Sequence, residues 1–71
     1  MGNKRRELLE LRAIVVSGRA ALLKTPAADD RDLIKDRLTE LLAQLEATVI
    51  RDGADAEVLA RLDAARREVW E

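Results

Sequence analysis

The sequence has no cysteine, histidine, phenylalanine or tyrosine, and it contains a single tryptophan and a single proline. Without cysteine the chain forms no disulfide and offers no thiolate to a metal ion. Without histidine or cysteine it also lacks the usual general base and the most reactive nucleophile of enzymes. These absences predict a protein that is not an enzyme and that binds no cofactor and no metal ion.

The remaining candidates for chemistry are better explained by structural roles. Ser17, the one serine, has no base beside it in the sequence, so we interpret it as a small helical residue. Asp29 and Asp30 stand in the first turn of a predicted helix, where carboxylates compensate the helix dipole. No acid is expected on the apolar stripes, so a metal site built from carboxylates is not expected. The three glycines are scattered and form no phosphate-binding loop.

Long hydrophobic runs are absent too. No apolar run approaches the roughly 18 residues that a membrane span needs, and no apolar segment typical of a signal peptide follows the basic start. We therefore expect a soluble protein without a targeting signal, cytoplasmic if it is made in a cell. The net charge of −1 argues against nucleic acid as a partner. The first 25 residues are basic, but no Phe or Tyr is present to stack on bases.

What the sequence does contain is helical periodicity. A first helix is predicted over residues 4–24, with Asn3 as its N-cap. A second is predicted over residues 26–52, with Thr25 as its N-cap and Pro26 in its first turn. The apolar residues of the first helix recur three and four positions apart and form an inner stripe. This inner stripe consists of Leu8, Leu11, Ile14, Val15, Gly18, Ala21 and Leu22.

A third helix is predicted over residues 56–70. Gly53 suits the left-handed conformation that follows a helix end, and Asp55 is a good N-cap for the next helix. Because both connections are short, neighbouring helices are expected to be antiparallel. The sequence therefore predicts an all-α fold, a three-helix up-down-up bundle that forms a single domain over residues 1–71.

The segment DGADAEVLARLDAARREV, residues 52–69, resembles the idealised turn-and-helix pattern of computationally (de novo) designed helical bundles. The resemblance extends over all three segments, but it is one of style, because no motif identifies a natural family. A small helical protein from a GC-rich bacterium is the alternative. The resemblance implies a scaffold whose function lies in its surfaces.

The stretch VVSGRAALL places weak helix formers in the middle of the first helix. Glycine there disfavours the helix by roughly 1 kcal/mol relative to alanine. Gly18 lies on the inner stripe, where the absence of a Cβ lets a facing helix approach. We therefore predict close helix packing at Gly18.

The first helix has a second apolar row, separated from the inner stripe by arginines at the same seven-residue spacing. Leu9, Val16 and Leu23 form this row, and Arg12 and Arg19 lie beside it. Either the row packs at the seam with a neighbouring helix, or it is exposed and packs against another copy or another protein. In the second case the arginines pair with acids such as Asp36 or Glu40 of the second copy.

We expect self-association through this face of the first helix, without catalytic activity. The alternative is a binding module that docks the same face on a foreign protein. Trp70 covers the end of the bundle or, beside Leu59, anchors an interface. The predicted interface residues are Leu9, Arg12, Val16, Arg19, Leu23 and Trp70.

Overall fold

The structure, a computed structural model, describes residues 3–70 and contains three α-helices. These are α1 (Lys4–Lys24), α2 (Ala28–Arg51) and α3 (Ala56–Trp70). Each helix contacts the other two, and the predicted three-helix up-down-up bundle is confirmed. The predicted domain, 1–71, includes Met1, Gly2 and Glu71, which lie outside the described residues.

The prediction that the second helix starts at Pro26 with Thr25 as its N-cap is wrong. α2 begins at Ala28, and Thr25 is instead the C-cap of α1, with an extended backbone (φ −119°, ψ 96°). Proline confines the residue before it to extended backbone. The carbonyls of Thr25 and Leu22 accept hydrogen bonds from Arg31 Nη1 at 3.2 and 2.6 Å. Pro26 therefore follows the end of the first helix, and Arg31 satisfies carbonyls at that end.

The connection between α2 and α3 follows the predicted turn chemistry. α2 ends at Arg51, one residue before the predicted end. The amide of Ala54 donates to the carbonyl of Val49 at 2.8 Å, and the amide of Gly53 donates to the carbonyl of Ile50 at 3.4 Å. This pair of bonds is a Schellman motif. Gly53 has φ +130°, a value that favours glycine.

Side-chain capping differs between the first and third helices. Asp55 Oδ1 accepts hydrogen bonds from the amides of Glu57 and Val58 at 3.0 and 3.2 Å, as expected for an N-cap. Asn3 occupies the N-cap position of α1, but its side chain makes no capping hydrogen bond. A side-chain cap therefore stabilises the start of α3 but not the start of α1.

The core is aliphatic and comes mainly from α2 and α3. On α1 only Leu11 and Gly18 of the inner stripe are buried, whereas the others are partly exposed. The buried apolar side chains are Leu11, Leu38, Leu42, Leu45, Val49, Val58, Leu62 and Ala65. α1 therefore buries fewer of its apolar residues in the core than its sequence pattern predicts.

The three helices have unequal lengths, with 21, 24 and 15 residues. Lys4 Nζ lies 2.6 Å from Glu57 Oε2, so α3 begins beside the start of α1. At its other end, Trp70 donates a hydrogen bond to the hydroxyl of Thr39. The last turn of α1 and the first turn of α2 therefore lie past the end of α3.

Candidate interaction surface

The second apolar row of α1 points away from the core. Leu9 is 60% exposed, Val16 57% and Leu23 87%. The three residues are seven positions apart, which places them close to one line along the helix. They lie opposite Leu11 and Gly18, the buried positions of α1. The row is therefore an exposed apolar line on the outside of the bundle.

An open groove runs beside this row, between α1 and α3. Alanine side chains on α3 are too short to fill the space against the branched side chains of α1, so the groove remains open between the two helices. Its apolar wall consists of Leu8, Leu9, Leu11, Val15 and Val16 from α1 and of Ala64 and Ala65 from α3. Leu9 and Val16 of the outer row therefore line one side of the groove, and residues of the inner stripe line the other side.

Arginines also line the groove. Arg5, Arg12 and Arg19 come from α1, and Arg61 comes from α3. Arg19 Nη2 lies 2.5 Å from Glu68 Oε1 and links α1 to α3. Among residues 3–70, Arg5 and Arg12 have no carboxylate within ion-pair distance. The surface of α1 is thus apolar on both sides of a positively charged line of arginines.

The structure does not bring Trp70 to the outer row of α1. Its indole Nε1 donates to Thr39 Oγ1 at 2.9 Å, and Lys35 Nζ lies 5.9 Å from the centroid of the ring. Both partners belong to α2, and the cation–π geometry holds the ring along that helix. Trp70 therefore lies on the seam between α2 and α3, where half of it remains exposed.

Gly18 of α1 faces Leu38 of α2. A Cβ at this position would lie 2.6 Å from both δ-carbons of Leu38, well inside van der Waals contact. Leu38 is itself buried. The space left by glycine is therefore occupied by a leucine of the facing helix, which explains a poor helix former in the middle of α1.

The expectation that no acid lies on an apolar stripe is wrong. Glu7 is only 4% exposed, and its Oε2 is shut off from solvent without a hydrogen-bond partner. Burial raises the pKa of the Glu7 carboxyl, and the carboxylates of Asp52, Asp55 and Glu10 raise it further. The signal was present in the sequence, because Glu7 precedes Leu11 by four positions and so shares its face.

Within residues 3–70, no three acidic side chains come together in a way that would hold a metal ion. The same range contains no helix that is long and apolar enough to cross a membrane. The chain matches no protein-family model, and searches of curated proteins and of solved structures returned no match.

Proposed function

We propose that this protein is a helical scaffold that associates with itself through the outer face of α1 and has no catalytic activity. The observation that carries this proposal is the exposure of Leu9, Val16 and Leu23 in one line. Ala13 and Ala20 flank the line and are small enough to let another helix approach closely. An apolar line of this kind is a typical site of helix association in water.

The energetics show what such an interface requires. Burial of a fully exposed Leu or Val side chain stabilises by about 1.5–3 kcal/mol. Each of the three side chains is more than half exposed. Burial of the row in an interface therefore contributes on the order of 3–6 kcal/mol to the free energy of association. A micromolar complex needs about 8 kcal/mol net of the entropy of association. The partner surface must therefore add apolar area of its own.

The alternative function is a binding module for a foreign protein. The open groove between α1 and α3 favours it, since a groove lined by apolar residues and arginines accommodates an amphipathic helix that also carries acidic residues. Such a module is monomeric without its target, whereas a self-associating scaffold is not. Design of the sequence, implied by its resemblance to designed bundles, is compatible with both functions.

The test is the mass in solution, measured by light scattering behind size exclusion at micromolar concentration. The parent chain is compared with the double variant Leu9→Glu/Val16→Lys, which leaves the net charge unchanged. We expect an oligomeric parent and a monomeric variant that keeps its helical circular dichroism. The matched control, Ala56→Glu/Ala60→Lys, makes the same charge changes on exposed positions of α3 and is expected to remain oligomeric.

The other outcomes count against the proposal in different ways. If the parent is monomeric and the variant folds, the row is exposed without self-association. This result contradicts the proposal and favours the binding module for a foreign protein. A monomeric parent whose variant unfolds shows that Leu9 and Val16 stabilise the bundle itself. A variant that remains oligomeric places the contact on another face.

A further inference from the structure

α2 carries an outer face with the same spacing as the outer face of α1. On α1, the positions from Leu9 to Leu23 alternate at intervals of three and four residues. The corresponding set on α2 is exposed throughout and consists of Leu33, Asp36, Glu40, Ala43, Ala47 and Ile50. This alternation is the heptad pattern by which two helices pack along their length.

The exposed apolar residues of the bundle concentrate on these two faces. Six large hydrophobic side chains are exposed within residues 3–70, and three of them form the row of α1. Two of the others, Leu33 and Ile50, lie at opposite ends of the α2 face and are more than half exposed. Only Trp70 lies elsewhere. The α2 face therefore provides the additional apolar area that the row of α1 requires.

The charges on the two faces are opposite. Arg12 and Arg19 lie between the apolar residues of the α1 face, whereas Asp36 and Glu40 lie between those of the α2 face. Asp36 has no ion-pair partner within residues 3–70, and Glu40 pairs only with exposed Arg37 on its own helix, at 3.2 Å. If α1 packed on α1 of a second copy, arginines would face arginines. Packing on α2 brings carboxylates to them instead.

We propose that the outer face of α1 in one copy packs against the outer face of α2 in the next copy, an inference that rests on the proposed self-association. Because the two surfaces differ, the first contact leaves the pair of copies with one free α1 face and one free α2 face. These two faces bind further copies in a closed ring or an open chain, or bind each other in a two-fold dimer.

The face of α2 is about one helical turn longer than the face of α1. Leu9 and Leu23 are about 21 Å apart along α1, and Leu33 and Ile50 are about 26 Å apart along α2. When the helices are aligned in parallel with Leu9 level with Leu33, Arg12 falls level with Asp36. In the same register Val16 falls level with Glu40 and Arg19 level with Ala43, so Arg19 lies within one turn of Glu40.

The experiment mixes two variants, each with one face disabled. Leu9→Glu/Val16→Lys disables the α1 face, and Asp36→Arg/Glu40→Arg places arginines on the α2 face. All four positions are exposed, so both variants are expected to fold. We expect each variant alone to be monomeric by light scattering. Their equimolar mixture is expected to form a heterodimer of twice the monomer mass, because one intact face of each kind remains.

The outcomes separate this inference from the proposed function. If Asp36→Arg/Glu40→Arg alone associates like the parent, or if two monomeric variants do not combine on mixing, the α2 face is not the partner. A monomeric parent overturns the self-association on which the inference rests. The control Glu10→Arg/Asp63→Arg makes the same change of charge on neither face. Its dissociation would also overturn the inference, since net charge alone would then explain the effect.

Discussion

Glu7 lies one turn before Leu11 on the buried face of α1, beneath the connection between α2 and α3. Its Oε2 has no hydrogen-bond partner, although Lys4 lies three residues earlier on the same helix. Lys4 instead pairs with Glu57, and this contact raises the pKa of Lys4 and lowers that of Glu57. Glu7 is therefore a buried carboxyl group whose charged form lacks a counterion, which disfavours the folded state.

The change Glu7→Gln tests this conclusion. Folding raises the pKa of Glu7 above its ordinary value of 4.5, so the folded protein binds the proton more tightly than the unfolded chain. The Glu7 carboxylate therefore does not destabilise the folded protein at a pH below the pKa of Glu7 in the unfolded chain. Its full destabilising effect is present at a pH above the raised pKa of Glu7 in the folded protein. Glu7→Gln is therefore expected to increase the Tm at neutral pH and to change it little near pH 4.

Thermal unfolding followed by circular dichroism measures this difference. Asp63→Asn, at an exposed carboxylate of α3 that does not contribute to the raised pKa of Glu7, is the matched control and is expected to show no gain at neutral pH. Equal Tm values for Glu7→Gln and the parent at neutral pH would show that the Glu7 carboxylate is not destabilising.

At the level of the helices, Gly18 and Leu38 determine how α1 meets α2. Glycine weakens α1 by roughly 1 kcal/mol relative to alanine. The clash that an alanine Cβ would make with both δ-carbons of Leu38 acts in the opposite direction. Overpacking in a filled site costs about 1–3 kcal/mol, so the contact outweighs the gain in helix propensity.

Gly18→Ala is accordingly expected to lower the free energy of unfolding by about 1 kcal/mol, the difference between these two effects. Leu38→Ala is expected to cost about 2–5 kcal/mol. The double variant is expected to be more stable than Leu38→Ala alone, because the new methyl group enters the vacated space. Chemical denaturation of all three variants gives the coupling energy.

Ser17→Ala serves as the control for helix propensity, since Ser17 is exposed. Ser17→Ala is expected to increase the free energy of unfolding slightly, because alanine is the better helix former. If Gly18→Ala stabilised the protein by a similar amount, the contact with Leu38 would be too loose to explain the glycine.

Across the whole molecule the charges nearly cancel, with 13 basic and 14 acidic residues. On the two outer faces, however, the charges are separated by sign. Arg12 and Arg19 lie on the outer face of α1, and Asp36 and Glu40 lie on the outer face of α2. Surface ion pairs contribute about 0.2–1 kcal/mol each and are screened by salt. Apolar contacts, in contrast, are not weakened by salt.

Self-association between these faces is therefore expected to weaken as sodium chloride is added. Two interfacial ion pairs correspond to an increase in Kd of about two- to thirtyfold at high salt. Sedimentation equilibrium over a salt series measures this change. Arg12→Met is expected to lose about half of the salt dependence. A Kd that fell with salt in the parent would indicate an interface without ion pairs.

The helices and the connection between α2 and α3 were predictable because their signals are local. Alternating intervals of three and four residues define each apolar stripe, and Gly53 and Asp55 act on backbone groups within five residues. The start of α2 was not predictable in this way. It depends on Arg31, whose guanidinium reaches back nine residues to the carbonyl of Leu22. Thr25 and Pro26 suit the start of a helix as well as the end of one.

By itself the sequence determined three amphipathic helices, their order and their aliphatic core, since periodicity and capping act within a few residues. Only the tertiary structure decided which of the two apolar faces of α1 is buried. α3 is short and presents Ala64 and Ala65 to α1, so it leaves Leu9 and Val16 exposed and a groove beside them. Burial depends on where a neighbouring helix lies, and local sequence does not encode that position.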